Sequence, residues 1–303
     1  MTTAPATVGV VGLGNMGLPM AGHLLAAGFG VRGYDVRPEA VDALARAGGT
    51  PTASPADAVA GAPVAITSLP SAAALQEVVG GKHGLAGAAP DGLILIETST
   101  LPVAAKAEAA EALGQVGAVV LDCPLSGTAS QMRARDIAVY ASGDPAAIER
   151  SHDVLAAFSR VQHEVGAFGN GMRMKLIANH LVAVHHTAAA EALLLARRAG
   201  LDPALALRAL SDGAGNSRML EIRGPMMVGG DFSDANITLG VFQKDIELIA
   251  DLARAARCPL PLFSAAAQLH LAAMAQGRLG EDPACVSAVL EGMTTGPGGP
   301  GGP

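Results

Sequence analysis

The chain of 303 residues is 50% hydrophobic and 16% charged, enough apolar material for about two domains of ~100–200 residues each and too little charge for a disordered chain. A net charge of −7, with no basic run longer than Arg197-Arg198, argues against a nucleic-acid partner, and no uninterrupted apolar run reaches the ~18 residues of a membrane span. Cys123, Cys258 and Cys285 are too few and too scattered for a disulfide framework or a C-x-x-C metal site; with an N-terminus that lacks a basic region, they lead us to expect a cytoplasmic protein.

The segment Val8–Leu24 sets a short β-branched strand, Val8–Val11, directly before Gly12-Leu13-Gly14-Asn15-Met16-Gly17, which fits G-x-G-x-x-G. In that pattern the first glycine makes a tight turn, the second lets the backbone approach a pyrophosphate, and the third lets helix pack on strand. A helix follows with Met16, Met20, Leu24 and Ala27 on one face, its free N–H groups aimed at bound phosphate. A second strand, Val31–Tyr34, ends at Asp35, 23 residues after Gly12, near the spacing at which an acid accepts hydrogen bonds from a ribose diol. Its charge disfavours a 2′-phosphate, so NAD is expected over NADP, although Arg37 offers a guanidinium that a phosphate could use.

Pro38–Ala47 reads as a helix, and the alternation continues through strand-like runs at Val64–Thr67, Leu93–Glu97, Val119–Asp122 and Ile137–Ala141. Helical stretches at Ser71–Val79, Pro102–Leu113 and Pro145–Phe158 separate them, with Ser54-Pro55 and Asp144-Pro145 as N-cap and N1 signals. This predicts a doubly wound parallel sheet over residues 1–165. From residue 166 to 295 the pattern becomes all-helical. It opens with a helix of some 28 residues over Gly171–Arg198, ~40 Å long at 1.5 Å per residue, which joins the two domains. Further helices are expected at Pro203–Ser211, Leu239–Ala256, Leu262–Gln276 and Pro283–Leu290, and the tail Gly296–Pro303 reads as disordered. His185 and His186 adjoin on the long helix without an acidic cluster or H-E-x-x-H, so no metal site is expected. Arg218 and Arg223 read as flanking a glycine-rich turn before Gly224-Pro225, suited to a salt bridge or an acidic substrate.

Four segments resemble the β-hydroxyacid dehydrogenases, the group of 3-hydroxyisobutyrate dehydrogenase, tartronate semialdehyde reductase and 6-phosphogluconate dehydrogenase. The first is GLGNMGLPMAGHL, including Met16, Met20 and Ala21. The second, Asp122-Cys123-Pro124-Leu125-Ser126-Gly127-Thr128, is similar to the family's D-x-P-V-S-G-G loop, with Thr128 in place of glycine and Gln131, Met132 and Arg135 where glycine or alanine is usual. The resemblance implies that Ser126, Gly127 and Thr128 hold a substrate carboxylate. The third segment, Gly169–Asn179, is similar to G-x-G-x-x-x-K-x-x-x-N. Lys175 and Asn179 lie four apart near a helix start, so they share a face, and a helix N-terminus disfavours the ammonium, which suits a general acid/base. The fourth is Lys244-Asp245, similar to the family's K-D-L. It implies that Lys244 approaches the nicotinamide and Asp245 supports the site, while Leu69, Pro70 and Ser99 sit where relatives line the nicotinamide pocket.

The resemblance implies a Rossmann-type domain followed by an all-α domain, with hydride transfer between NAD(H) and a small β-hydroxy acid or its semialdehyde in a cleft between them. Lys175 is the expected acid/base and Asn179 its orienting partner. The alternatives are an imine reductase on the same scaffold, a group that generally lacks this lysine, and a non-catalytic dinucleotide-binding module. Alanine- and leucine-rich faces in the helical half predict a homodimer or homotetramer.

Overall fold

The computed structural model describes residues 6–235 and 237–294, which form two compact units, one up to Lys175 and one from Leu176. The Gly296–Pro303 tail lies outside the described residues. In the first unit β1 (Thr7–Val11), β2 (Gly30–Tyr34), β3 (Thr50–Pro51), β4 (Val64–Thr67), β5 (Ile94–Glu97) and β6 (Val119–Asp122) form an all-parallel sheet in the order β3-β2-β1-β4-β5-β6. Helices α1 (Gly17–Ala26), α2 (Pro38–Arg46), α3 (Pro55–Val59), α4 (Ala72–Gly80) and α5 (Val103–Gly114) make the crossovers. Alternate strand residues feed two cores: Val8, Val10, Ile66 and Ile96 pack with Met20 and Leu24, whereas Val11, Ala65 and Leu95 pack with Leu75 and Leu113. Burial on both faces explains why these strands read as apolar runs. The strand order reverses between β1 and β4, so the carboxyl ends of those strands open a crevice suited to a ligand.

The sequence places Ile137–Ala141 among the parallel strands; the structure puts β8 (Ala138–Ala141) in a separate three-stranded sheet. There it lies antiparallel to β7 (Leu125–Ser126) and parallel to β9 (Val161–Glu164). The chain turns back after Asp122, whose backbone exchanges two hydrogen bonds with Ser142 and ties the sheets together. In the chain α6 (Ala129–Arg133) lies between β7 and β8, and α7 (Pro145–Arg150) and α8 (His152–Phe158) lie between β8 and β9. The single helix expected over Pro145–Phe158 is thus two, meeting at the buried Ser151. The predicted caps form as read: Ser54 Oγ accepts the Asp57 N–H and Asp144 Oδ1 accepts the Ala147 N–H.

Helix α9 (Asn170–Arg198) begins in the first unit and runs on into the second, where α10 (Pro203–Ser211), α11 (Arg218–Gly229), α12 (Leu239–Ala255), α13 (Pro261–Ala275) and α14 (Val286–Thr294) follow. Leu193, Leu220, Phe232, Leu239, Leu269 and Val289 contribute to their shared core. Arg218 and Arg223 do not flank a turn, because α11 continues through Pro225. Pro225 cannot donate a backbone hydrogen bond within the helix; Ser217 caps its start, and a buried pair at 2.7 Å between Arg223 Nε and Asp282 Oδ1 ties its middle to the turn before α14. Similarly, Pro283–Cys285 is a 3₁₀ turn leading into α14.

His185 is half-buried, whereas His186 is fully buried and its Nε2 lies 2.8 Å from Nε2 of His270. One ring must donate and the other accept, so at least the accepting ring is neutral. Burial, then the Arg223 charge, pushes His270 down to about 4, and burial takes His186 well below its ordinary value. The unfolded chain binds protons near pH ~6.5 while the folded chain does so only at much lower pH, so stability falls as pH drops through that window. For His270 the loss by pH ~4 is about 3 kcal/mol relative to neutral pH. Urea titrations should show His270→Gln flattening the slope of stability against pH by about one proton between pH ~6.5 and ~4. An unchanged slope contradicts this account.

Candidate active site

Gly12 adopts φ 92°, and a Cβ there would collide with the Ser68 carbonyl; one on Gly17 would strike the Gly12 carbonyl itself. The turn after β1 is therefore clamped between α1 and the end of β4. At Gly14, in contrast, a Cβ would meet only the Arg37 guanidinium, 3.8 Å away. Leu13 is buried and Asn15 exposed, while Met16 supplies the N-cap of α1 without a side-chain hydrogen bond. In the first turn of α1 the Leu18 N–H donates to the Gly14 carbonyl and the Met20 N–H to the Met16 carbonyl, each at 3.1 Å, and Pro19 has no N–H, so a pyrophosphate would look to the glycine turn ahead of them for its donors.

Asp35 sits at the end of β2, next to this turn. Its Oδ2 accepts the Leu13 N–H at 2.7 Å and Arg37 Nη2 at 3.1 Å, and its Oδ1 accepts the Arg37 N–H at 2.9 Å and Nε at 3.0 Å. Partial burial works to raise its pKa, but the hydrogen bonds from Arg37 and Leu13 outweigh it and keep the carboxyl below its usual value. The same carboxylate therefore organises the glycine turn and restrains Arg37, whose side chain is about half exposed.

The strands' register sets Val11, Thr67, Glu97 and Asp122 level at the carboxyl edge of the sheet. Leu69 and Ser99 follow two of those ends and are joined, the Leu69 N–H donating to Ser99 Oγ at 2.8 Å; Pro70 beside them is exposed. Sequence reasoning missed what lies behind them. Lys106, from α5, is fully buried with its ammonium 2.7 Å from Glu97 Oε2 and 2.7 Å from Asp122 Oδ1. Burial alone would lower its pKa, yet the two carboxylates more than compensate and hold it above the ordinary lysine value. The available signal was that two buried strands both end in an acid, in a chain with only four lysines.

Ser126 ends β7 in the second sheet, Gly127 follows it, and Thr128 caps α6. Thr128 and Gln131 form a capping box in which the Thr128 N–H donates to Gln131 Oε1 at 3.0 Å. Gln131 Nε2 also donates to Asp136, which pairs with Arg160. The third backbone donor of this small-residue loop is thus already engaged by a side chain of the loop's own helix.

Lys175 and Asn179 lie one turn apart on α9, both buried, at 8% and 6% exposure. The first turn of α9 sits so close to the sheet that a Cβ on Gly171 would clash with the Asp122 and Tyr140 carbonyls, which accounts for the second glycine of the segment. Asn179 belongs to the second unit, where its Nδ2 donates to Asp245 Oδ2 at 2.7 Å; Lys244, half-buried, is the next residue on α12. The structure thereby joins Asp35 to the glycine turn, Leu69 to Ser99, and Asn179 to Asp245. Ser126 ends a strand of the other sheet of the first unit, and Gly127 and Thr128 lead from it into α6.

A parallel sheet in this order with a three-glycine turn at its switch point defines an NAD(P)-binding oxidoreductase, and the comparisons agree. Residues 7–172 match the NAD binding domain of 6-phosphogluconate dehydrogenase, and residues 169–290 match a family described as the NAD-binding domain of NADP-dependent 3-hydroxyisobutyrate dehydrogenase. The chain is 36% identical to L-threonate dehydrogenase of Cupriavidus necator over 94% of its own length and 96% of the relative's. It is 32% identical to human mitochondrial 3-hydroxyisobutyrate dehydrogenase over 89% of this chain and 82% of that protein. A crystal structure of 3-hydroxyisobutyrate dehydrogenase from Salmonella typhimurium superposes with a TM-score of 0.84 at 34% identity, covering 93% of this chain and 99% of the other. The chain belongs to the 3-hydroxyisobutyrate and 6-phosphogluconate dehydrogenase family. Among the described residues, no helix is long and apolar enough to cross a membrane, and no group of three or more metal-ligating side chains occurs.

Proposed function

We propose that this chain oxidises a small β-hydroxy acid, or reduces the matching semialdehyde, with Lys175 as general acid/base. The observation that carries the reading is a buried lysine in the second turn of α9, followed one turn later by an asparagine anchored to a buried aspartate. When bound, the dinucleotide supplies the nicotinamide that accepts the hydride. In the oxidation Lys175 Nζ takes the proton of the substrate hydroxyl, and in the reduction it returns it. Asn179, fixed by Asp245, orients the hydroxyl or the lysine. Ser126, Gly127 and Thr128 hold the carboxylate, Gly12–Gly17 cradle the pyrophosphate, Leu69, Pro70 and Ser99 line the nicotinamide side, and Lys244 lies toward the same end.

NAD is the expected cofactor, because Asp35 presents a carboxylate where a 2′-phosphate would otherwise sit; Arg37 leaves NADP as the weaker choice. The relatives named above direct the choice of acids to L-threonate and 3-hydroxyisobutyrate. The exposed Leu195, Leu201, Leu205 and Leu262 support a homodimer or homotetramer, and free Cys123, Cys258 and Cys285 support a reducing, cytoplasmic setting.

The test is dinucleotide reduction with a panel of small hydroxy acids, run in parallel with NAD and NADP. At least one acid should give turnover, with the higher kcat/KM on NAD. Tight dinucleotide binding with no turnover on any acid would favour a binding module instead. The same preparation should sediment above the 30.1 kDa of one chain, and a species of that mass at micromolar concentration would refute the oligomer.

A further inference from the structure

The Lys106 ammonium is fully buried between Glu97 and Asp122, a pairing that is a poor source of net stability because three charges are desolvated to make it. Its connections are more telling. Glu97 Oε1 accepts the Ser99 N–H at 3.0 Å, and Ser99 Oγ in turn accepts the Leu69 N–H at 2.8 Å. On the other side, Asp122 Oδ2 accepts the Met172 N–H at 2.8 Å. The Ser142 hydroxyl donates to Asp122 and accepts the Gly171 N–H at 2.9 Å. One buried centre therefore reaches the loops after β4 and β5 and the first turn of α9. Two carboxylates and one ammonium leave a negative charge at the positive end of that helix, where it is held most firmly.

We propose that Lys106 is a positioning residue for the reaction, setting the start of α9, and hence Lys175, in register with the loops that carry Leu69 and Ser99. This rests on the reading of Lys175 as acid/base. Lys175 lies three residues beyond Met172, ~4.5 Å along the axis, so a displacement of the first turn is carried to its ammonium with little damping. Transfer geometry is unforgiving, since a misplacement of ~1 Å can cost ~10²-fold in rate.

Two variants test it in the full-length chain. Lys106→Met/Glu97→Gln keeps the cluster at one negative charge with near-equal side-chain volumes, and Ser142→Ala removes the hydroxyl that joins Asp122 to the Gly171 N–H while leaving Lys106, Glu97 and Asp122 in place. With the best acid of the panel, kcat should fall about 10–100-fold in the double variant and about 3–10-fold in Ser142→Ala. Dinucleotide Kd, measured by calorimetry, should change less than about 3-fold, and the limb of the kcat–pH profile that reports the acid/base should move. Unchanged kcat and pH profile in the folded variants, with only the urea midpoint lowered, overturn the proposal and leave the cluster a purely structural element. Should the double variant fail to fold, Ser142→Ala decides by the same criteria. Lys175→Ala separates the two levels: if it retains turnover, the acid/base reading falls and this proposal with it. If it loses turnover while the cluster variants do not, only the positioning role is lost.

Discussion

Lys175→Ala should lose ~10²–10⁴-fold in turnover while binding the dinucleotide with nearly unchanged affinity. The substitution leaves the anchors of the α9 start intact, because those bonds use the Gly171 and Met172 backbone and the side chains of Asp122 and Ser142. Lys175→Arg should fail as badly, since a guanidinium with a pKa above ~12 does not give up its proton near neutrality. Stopped-flow turnover combined with calorimetric titration of NAD checks both statements. Turnover within about threefold of wild type in either variant would remove Lys175 from the chemistry, as general acid/base catalysis contributes far more than that.

Gly17→Ala and Gly14→Ala should separate folding from binding at the same turn. The alanine methyl at position 17 runs into the Gly12 carbonyl, which is backbone and cannot swing aside, so α1 must lift from β1. Overpacking of this kind costs about 1–3 kcal/mol or more, enough to lower the melting temperature by several degrees and to spoil the dinucleotide site. At position 14 the methyl meets only the Arg37 guanidinium at 3.8 Å, an ordinary van der Waals distance, so the fold should melt normally. Affinity should nonetheless drop about tenfold or more, because the missing side chain is what lets the backbone approach a pyrophosphate. Equal melting temperatures for the two variants, or normal NAD affinity in Gly14→Ala, would contradict the division of roles.

These contrasts follow from how much of the molecule can be read in one dimension. The β1–turn–α1 unit, the strands at Val64–Thr67 and Val119–Asp122, the proline-marked caps and the 29-residue α9 are local features, and local sequence encodes them. Thr50–Pro51 and Leu125–Ser126 are two-residue strands that exist only because a partner lies beside them, and Val161–Glu164 carries two half-buried and two exposed residues with no apolar pattern. Helix α11 was hidden by Gly224, Pro225 and Gly229, and its support, Asp282, is 59 residues from Arg223. The site divides in the same way. The glycine turn, Asp35 and the Lys175–Asn179 spacing were visible, whereas the Lys106 centre depends on two carboxylates becoming neighbours through strand register. A lysine amid the alanines and glutamates of α5 looks like part of a solvated face until that register is known.

If Ser126, Gly127 and Thr128 hold the carboxylate as proposed, the Thr128–Gln131 capping box bears on selectivity. Any substrate carboxylate that takes the Thr128 N–H must first evict the Gln131 carboxamide, so the loop holds its own tethered competitor at high effective concentration. Affinity would then be the outcome of an exchange rather than of a simple capture, and acids whose only strong contact is the carboxylate would gain little from it. On that proposal, acids with further hydroxyls to anchor them elsewhere would complete the displacement, and the glutamine would filter the whole molecule rather than its charged end.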